Sequence, residues 1–300
     1  MINLIDKLYA KIPVKGIFLR SIRYILRLSA NIYARYFMRT RNIKRSINDD
    51  TLIVSLTSYP ARIKSVWLVV KTLLNQKEVN DLAIILWLSR EQFPDGVESL
   101  PNNLKRLCSN GLIIRFVDDD LKSHKKYFYA FKEFPNNVVI TVDDDVLYPS
   151  NLIYTLFTAH KRFTDCVICN RGAVIRKDFP YKEWGQVENY MTPQDNILPT
   201  GIGGVLYPPK SYNGAIFNID AIKQTCINGD DLWLSLMCRL NGTKVVFTGV
   251  KFGFVTILST QNTALCIKNV NDNKNDSQIL SLTNWMRNNY ITDFYLSNFS

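Results

Sequence analysis

The chain has 300 residues, 47% of them hydrophobic, and a formal net charge of +11. That length is sufficient for one sizeable α/β core with an appended segment. Residues 1–48 contain eleven Lys and Arg but a single acid, Asp6, so the rest of the chain is almost neutral, shows no basic stripe, and is not expected to bind nucleic acid.

Residues 1–48 are predicted to form a basic amphipathic arm. Between Ile2 and Leu26, apolar residues recur at roughly helical spacing with Lys and Arg between them. Such a helix fits the surface of an anionic membrane, and the interrupting charges exclude a membrane span. The alternative is a helix packed on the protein body with a solvated basic face. We predict that this arm associates with an anionic membrane surface.

From residue 49 the pattern changes to alternating strands and helices, and we predict one domain over residues 49–260. Apolar, β-rich runs predict strands, and the periodic segments between them predict helices. This alternation predicts a mostly parallel sheet between helices, with ligands bound outside the carboxyl ends of the strands. The strands are expected at 51–56, 82–88, 112–117 and 138–142, and the helices at 63–74, 97–108, 122–134 and after Pro149.

The second half of the chain is less regular. Residues 173–199 are rich in Trp, Tyr and Pro and are predicted to form a long functional loop. A helix with an acidic start is expected at 230–240, a short strand at 245–247, and a partly ordered tail at 261–300. We interpret the six scattered Cys as reduced thiols of a cytoplasmic protein, peripheral on the inner face of the cytoplasmic membrane.

Three aspartates at 143–145 directly follow the fourth predicted strand. In an extended chain, residues i and i+2 share a face, so Asp143 and Asp145 are expected to point the same way. Two hard oxygen donors at this spacing suit Mg²⁺ or Mn²⁺, which completes its shell with water and substrate phosphates. The alternative is a solvated acidic turn, which the apolar strand leading into it disfavours.

Further patterns each have a structural and a functional interpretation. Asp230 and Asp231 open a predicted helix, where a carboxylate either caps the helix or acts as a catalytic base. The glycine-rich residues 200–209 allow a backbone to approach a ligand closely, although tight turns need glycine too. Residues 55–62 either hold a nucleoside or form an ordinary strand-to-helix turn. The lysines at 125–126 either offset phosphate charge or form a solvated helix face.

Together these segments resemble bacterial GT-A-type, family 2-like glycosyltransferases of surface-polysaccharide (LPS or capsule) biosynthesis. The resemblance covers residues 52–247. Its D-x-D pattern is common to many GT-A enzymes, whereas the Gly-Gly-Val-Leu-Tyr-Pro-Pro run is more specific. The segments that carry it are Thr57-Ser-Tyr-Pro-Ala-Arg62, Leu86-Trp-Leu-Ser89, Val142-Asp-Asp-Asp-Val146, Thr200-Gly-Ile-Gly-Gly204, Leu206-Tyr-Pro-Pro209 and Asp230-Asp-Leu-Trp233.

The resemblance implies a GT-A-like α/β fold and a metal-dependent, inverting transfer of a hexosyl group from a nucleotide-diphospho-sugar to a hydroxyl of a glycan or lipid-linked acceptor. It implies Mn²⁺ or Mg²⁺ bound by Asp145 and Asp143, and a catalytic pair of Asp231, the general base, and Asp230. No His follows His160, so the third metal ligand of many GT-A enzymes has no counterpart. The residues assigned to the donor are Thr57, Tyr59, Arg62, Asp118, Lys125, Asp143 and Asp144, and those assigned to the acceptor are Trp184, Gly203, Gly204 and Tyr207.

Two other function classes fit the same residues. A metal-dependent phosphoryl-transfer enzyme or hydrolase would also use clustered aspartates, but it would cleave phosphoesters without a sugar acceptor. A non-catalytic, membrane-associated module would bind a sugar nucleotide or a glycan without turnover. A sugar transfer that requires both a divalent ion and an acceptor separates a glycosyltransferase from both.

Overall fold

The computed structural model describes residues 1–43, 46–188, 191–260 and 274–296, and the backbone alone of 261–263. The helices are α1 (Ile2–Lys11), α2 (Ile17–Ile32), α3 (Val66–Leu74), α4 (Asn102–Leu107), α5 (Lys125–Glu133), α6 (Leu152–Arg162), α7 (Ile219–Thr225), α8 (Asp230–Leu240) and α9 (Lys274–Tyr290). The strands are β1 (Leu52–Thr57), β2 (Leu82–Ser89), β3 (Leu112–Val117), β4 (Val139–Thr141), β5 (Val146–Leu147), β6 (Val167–Cys169), β7 (Gly172–Val174), β8 (Ile197–Pro199), β9 (Val205–Tyr207), β10 (Val245–Phe247) and β11 (Val255–Thr256).

The central sheet has seven strands in the order β3-β2-β1-β4-β9-β6-β10. Only β9 is antiparallel to its neighbours in this sheet, and the other adjacent pairs are parallel. The predicted α/β architecture, a mostly parallel sheet between helices, is therefore confirmed. Because β1 to β4 run in the same direction, their carboxyl ends meet along one edge of the sheet.

The two faces of the sheet carry separate layers of the core. Leu52, Val54 and Leu56 of β1 pack in one cluster with α3 and α6, whereas Ile53 packs in the other with α5 and α8. This alternation follows from the period of two along a strand. β2 is buried along its whole length, which explains why its sequence is apolar throughout.

One predicted helix is interrupted. In place of a single helix over 97–108, the chain forms a 3₁₀ turn at Gly96–Ser99 and then α4. Pro101 explains the break, because a proline forces the preceding residue out of the helical region. Leu100 accordingly has φ −83° and ψ 146°, which is extended.

Regular structure also occurs where little was predicted. Within the expected loop at 173–199, β7 and β8 form an antiparallel pair. Within the expected tail at 261–300, α9 buries Ile279, Leu282 and Met286 against the body. Residues 264–273 and 297–300 of that tail lie outside the described part of the chain.

The basic arm forms two helices, α1 and α2, separated by a turn at Pro13 and Gly16, where φ is +90°. Its inner side packs on the body, where Ile2, Ile5 and Ala30 are buried. No helix in the described ranges combines the length and apolarity that crossing a bilayer requires.

Asp6 is a buried link between the arm and the body. Its side chain is 2% exposed, and its Oδ2 accepts a hydrogen bond of 3.0 Å from the backbone N–H of Gly253. Burial raises the pKa of Asp6 to about 6. The folded protein therefore binds this proton more tightly than the unfolded chain does.

Linkage predicts that Asp6 makes the protein less stable as pH rises. Its contribution to the free energy of unfolding is greatest below the unfolded pKa and is lost as pH rises through the folded pKa of about 6. The loss amounts to about 3 kcal/mol. Asp6→Asn, which cannot ionise, should lack this component. Thermal unfolding of the wild type and of Asp6→Asn at about pH 4 and about pH 8 measures this difference. An equal pH dependence of stability in the two proteins would contradict the prediction.

Candidate functional site

The three aspartates directly follow β4 at the edge where the parallel strands end. Asp144 turns inward, where Ser58 Oγ donates a 2.6 Å hydrogen bond to its Oδ2 and Arg62 Nη1 lies 2.6 Å from its Oδ1. Asp143 and Asp145 remain more accessible, with side chains 31% and 15% exposed against 8% for Asp144. The alternation along the chain thus leaves Asp143 and Asp145 partly open and Asp144 enclosed.

Arg62 holds two of these carboxylates. Besides its contact with Asp144, its Nη2 lies 3.2 Å from Asp145 Oδ2. Burial raises the pKa of Asp145 to about 7, with Arg62 opposing the shift and Asp143 adding to it. Burial also raises the pKa of Asp144, again against the pull of Arg62. Arg62, which was predicted to contact the nucleoside, is therefore paired with the acidic triplet in this structure.

Lys126, near the start of α5, lies at the centre of the site. Its Nζ is 2.8 Å from Asp143 Oδ1 and 2.8 Å from Asp230 Oδ2, and its side chain is only 4% exposed. Burial by itself would lower the pKa of Lys126, but the carboxylates of Asp143, Asp230 and Asp231 raise it well above its usual value. Lys126 is therefore a permanent cation that joins the end of β4 to the start of α8.

Gly201 brings the glycine-rich loop into direct contact with these charges. Its N–H lies 3.1 and 3.2 Å from the two carboxylate oxygens of Asp231. A Cβ at this position would lie 2.7 Å from Asp143 Oδ1 and 2.8 Å from Lys126 Nζ. A side chain here would have to displace the Asp143–Lys126 ion pair, whereas glycine permits the close approach.

The two acids at the start of α8 have pKa values that their surroundings shift in opposite directions. Burial would raise the pKa of Asp230, but the charges of Lys126 and His124 lower it overall. For Asp231, burial raises the pKa and repulsion by Asp230 raises it further. One carboxylate is thus held as an anion, while its neighbour binds a proton unusually tightly.

The other residues assigned to the donor lie along the same edge of the sheet, with different contacts. Thr57 ends β1, and its Oγ1 donates a 2.8 Å hydrogen bond to the carbonyl of Trp87. The Tyr59 ring lies 5.7 Å from the guanidinium carbon of Arg62. Asp118 follows β3, is exposed, and pairs with Arg90 at 3.3 Å. Lys125 is buried and pairs with Asp120.

The residues assigned to the acceptor mostly have packing contacts. Trp184 is buried, and its indole N–H lies 3.0 Å from the carbonyl oxygens of both Arg176 and Phe179. Tyr207 is buried in β9 with its ring edge-on to Phe131. A Cβ on Gly203 would lie 2.7 Å from Arg171 Cβ, and Gly204 has φ +72°. These packing contacts account for the residue types at the four positions. Binding of the acceptor by these residues stays a prediction.

Three residues of this site had no role assigned to them from the sequence. Lys126, rather than its assigned neighbour Lys125, reaches the central carboxylates. Ser58 and Gly201 lie inside patterns that we singled out, but neither was assigned a role. Nothing in the sequence distinguishes Lys126 from Lys125. For Ser58 and Gly201 a signal existed, because a hydroxyl or a glycine directly after a strand lies where ligands bind in such sheets.

The predicted metal ligands Asp143 and Asp145 each have one carboxylate oxygen to offer. Asp143 Oδ2 and Asp145 Oδ1 have no protein hydrogen-bond partner among the described residues, and both side chains are partly exposed. In the part of the chain that the structure describes, no group of three or more His, Cys, Asp or Glu side chains is arranged to hold a metal. If Asp143 and Asp145 hold an ion, as predicted, phosphate and water oxygens would have to complete its shell.

No family model matches this sequence, and no curated protein is significantly similar to it. Among solved structures, a mannosyltransferase from Pyrobaculum calidifontis in complex with GDP-Man and Mn²⁺ is 10% identical, over 88% of this chain and 71% of that chain, with a TM-score of 0.48. Residues 1–349 of TarS from S. aureus are 13% identical, over 80% and 74% of the two chains, with a TM-score of 0.44. An apo UDP-glucose pyrophosphorylase is 10% identical, over 76% and 98%, with a TM-score of 0.42. With TM-scores below 0.5 these are distant likenesses, and the fold rests on this chain's own sheet.

Proposed function

We propose that this protein is a metal-dependent, hexosyltransferase-like glycosyltransferase. It moves a sugar from a nucleotide-diphospho-sugar to a hydroxyl of a glycan or lipid-linked acceptor in cell-surface polysaccharide biosynthesis. The observation that carries the proposal is the contact of Lys126 with both Asp143 and Asp230, at 2.8 Å each. It joins an acidic group suited to a metal–diphosphate complex with a second acidic group suited to proton removal. Both lie at the ligand-binding edge of a parallel sheet.

The donor side of the proposal uses the end of β4. Asp145 and Asp143 would hold Mn²⁺ or Mg²⁺, which as a Lewis acid would stabilise the negative charge of the departing diphosphate. Arg62 and Ser58 fix the intervening Asp144 and thereby set the direction of its two neighbours. The protein's share of this step would be to present two carboxylate ligands to the ion.

The acceptor side uses the start of α8. Asp231 takes the proton of the acceptor hydroxyl as that oxygen forms its bond to the anomeric carbon. The bond from this carbon to the diphosphate oxygen breaks, and the nucleoside diphosphate leaves with the bonding electrons. A single displacement of this kind inverts the anomeric configuration. The raised pKa of Asp231 supports the role, because a base works best when its pKa lies near the operating pH.

Asp145→Ala is expected to abolish metal-dependent sugar transfer, because it removes one of two protein ligands from the ion. The donor is first identified by the thermal shift that a panel of nucleotide-sugars produces with and without Mn²⁺. Transfer and Mn²⁺-dependent shift are then compared between the wild type and the variant. Asp165→Ala, an exposed aspartate outside the site, is the control.

Each outcome of this experiment has a definite meaning. Wild-type transfer by Asp145→Ala would refute the metal assignment. Release of free phosphate or sugar phosphate without an acceptor would identify a phosphoryl-transfer enzyme or hydrolase. Donor binding without any turnover by the wild type would identify a binding module.

We also propose a cytoplasmic location, peripheral on the inner face of the membrane. It is supported by the concentration of eleven Lys and Arg in residues 1–48, opposed there only by Asp6. A cytoplasmic leaflet is anionic and attracts such a segment.

A further inference from the structure

The arm exposes an unusual share of the molecule's apolar surface. Of the nineteen large hydrophobic side chains that are exposed among the described residues, twelve lie in residues 1–37. Ile17 and Phe18 are 84% and 72% exposed. A concentration of this kind marks a surface that contacts a partner or a membrane. We call it the outer face; its members on the two helices are Leu4, Leu8, Ile17, Phe18, Tyr24, Ile25, Leu28 and Ile32.

The outer face is a regular helical stripe. On α2, Phe18, Ile25 and Ile32 recur every seven residues, and Ile17 and Tyr24 lie beside them. Side chains at this spacing share one side of a helix. The body occupies the opposite side of α2, where Ala30 is buried, and Asn31 is buried at the edge of the stripe. The sequence thus makes α2 apolar on the side that faces solvent.

Positive charge surrounds this stripe. Between α1 and α2 lies a groove of about 490 Å³ lined by arginines, tyrosines and aliphatic side chains, and no acidic residue is among the described residues that line it. Lys7, Lys11 and Lys15 are also exposed. The arm's single acid, Asp6, is buried toward the body at Gly253. Arg20, Arg23 and Arg27 are the arginines of this groove.

These charges decide which partner fits. A second copy of the chain would place cations against cations, which is unfavourable. An anionic bilayer offers an apolar interior for the stripe and phosphate headgroups for the arginines. An amphipathic helix with aromatic and aliphatic residues on one face and Lys and Arg beside it has the composition of an interfacial helix.

Hydrogen bonds connect α2, which carries most of the outer face, to the triple aspartate. The Asn31 side chain donates to the carbonyl of Thr256 at 3.1 Å and accepts from the N–H of Leu258 at 3.2 Å. Thr256 pairs with Val146 in the β11–β5 ribbon, and the Ile257 N–H donates to the carbonyl of Asp145 at 2.8 Å. The arm is thus a docked part of the molecule, connected to Asp145 through a short hydrogen-bonded path.

We propose that the outer face lies in an anionic bilayer and that the acceptor is anchored in that same bilayer. This inference rests on the proposed function and deepens it, because it selects the lipid-linked class of acceptor. Sixteen residues of α2 extend about 24 Å at 1.5 Å per residue, so the whole stripe lies within a few tens of ångströms of Thr256. A hydroxyl on a membrane-anchored glycan can reach the site without release of the enzyme.

The first experiment measures binding of the full chain to vesicles by flotation. Vesicles of phosphatidylcholine are compared with vesicles of phosphatidylcholine and phosphatidylglycerol, at low and high salt. We expect binding to the anionic vesicles only, weakened by salt. Arg20→Gln should weaken it about fivefold, and Phe18→Ser roughly tenfold or more.

Matched controls exist elsewhere on the surface. Leu280→Ser removes an exposed apolar side chain from α9, and Lys223→Gln removes an exposed cation from α7. Both should bind vesicles like the wild type. Equal binding to neutral vesicles, wild-type binding by Phe18→Ser and Arg20→Gln, or self-association that buries the outer face would each overturn the inference.

The second experiment tests the class of acceptor. The radiolabelled nucleotide-sugar that shifts the melting temperature is incubated with a membrane fraction and with a water-soluble glycan fraction. We expect label in organic-extractable lipid, and a loss with Phe18→Ser that leaves the donor-induced thermal shift unchanged. Label only in soluble glycans would overturn the inference while the proposed function stands. Vesicle binding without donor binding or transfer would overturn the proposed function while the outer face stands.

Discussion

Lys126→Met is expected to lower the free energy of unfolding by about 3–5 kcal/mol. The substitution keeps the length of the side chain and removes its charge. Asp143 and Asp230, each 2.8 Å from Nζ, would then lose their shared cation, with Asp231 close by. Buried carboxylates without a counter-ion are strongly destabilising. Chemical denaturation at neutral pH measures the loss.

Lys125→Met is the matched control for this prediction. It is the same substitution one residue away on α5, and Lys125 is equally buried. Burial lowers the pKa of Lys125 despite its partner Asp120. The charge of Lys125 therefore stabilises the folded state less than the charge of Lys126 does. Lys125→Met should therefore destabilise the protein much less than Lys126→Met.

A second substitution tests the cause of the loss. Asp230→Asn removes one of the carboxylates that Lys126→Met leaves unpaired, so the double variant should recover part of the stability. A single Lys126→Met variant as stable as the wild type would show that Lys126 is not the central cation. Losses that simply add in the double variant would show that the two residues are not coupled.

Asp231→Asn is expected to remove turnover and to spare donor binding. The amide keeps an oxygen that can accept from the Gly201 N–H, so the loop should stay in place. It cannot take a proton, and loss of a general base lowers kcat on the order of 10²–10⁴-fold. Steady-state transfer measures kcat, and the thermal shift with nucleotide-sugar measures donor binding.

The alternative interpretation of Asp231 is helix capping, and Asp220→Asn is the control for it. Asp220 is an exposed acid in the first turn of α7, as Asp231 is in the first turn of α8. If both variants lose similar stability and neither loses kcat, Asp231 only caps its helix. Loss of donor affinity in Asp231→Asn would instead give it a binding role.

The pH dependence of transfer offers a second view of Asp231. Burial and repulsion by Asp230 raise its pKa, so the base is protonated at a higher pH than an ordinary carboxylate. In the wild type, kcat should therefore fall as pH is lowered through a range above that of exposed aspartates. The residual activity of Asp231→Asn should lack this fall.

Much of the body follows from local sequence. β1, β2 and β3 lie within one residue of the predicted strands. β2 is buried and apolar throughout, as a covered parallel strand requires, whereas β3 at the sheet edge includes the exposed Arg115. The helix at Asp230–Leu240 and the strand at Val245–Phe247 coincide with their predictions. The place of the triple aspartate after β4 was likewise predictable, since a strand end is a local feature.

Other parts were not predictable from local patterns. Lys126 meets Asp230, 104 positions later in the chain, and periodicity contains no information about such a pairing. Adjacent lysines on a helix also give no sign of which one faces the sheet edge. The antiparallel insertion of β9 between β4 and β6 carries Gly201 to the Asp143–Lys126 pair, and this order of strands is a property of the whole sheet.

Local sequence was enough to predict an α/β body, a triple aspartate at a strand end, an acidic helix start and a basic amphipathic arm, because each depends on neighbouring residues and on strand or helix periods. The folded chain was needed to show that Lys126 is the shared cation, that Arg62 is bound to the triplet, and that the arm docks beside β11 with its apolar stripe outward. Those arrangements depend on contacts between distant segments, where burial and charge, rather than local pattern, select the partners.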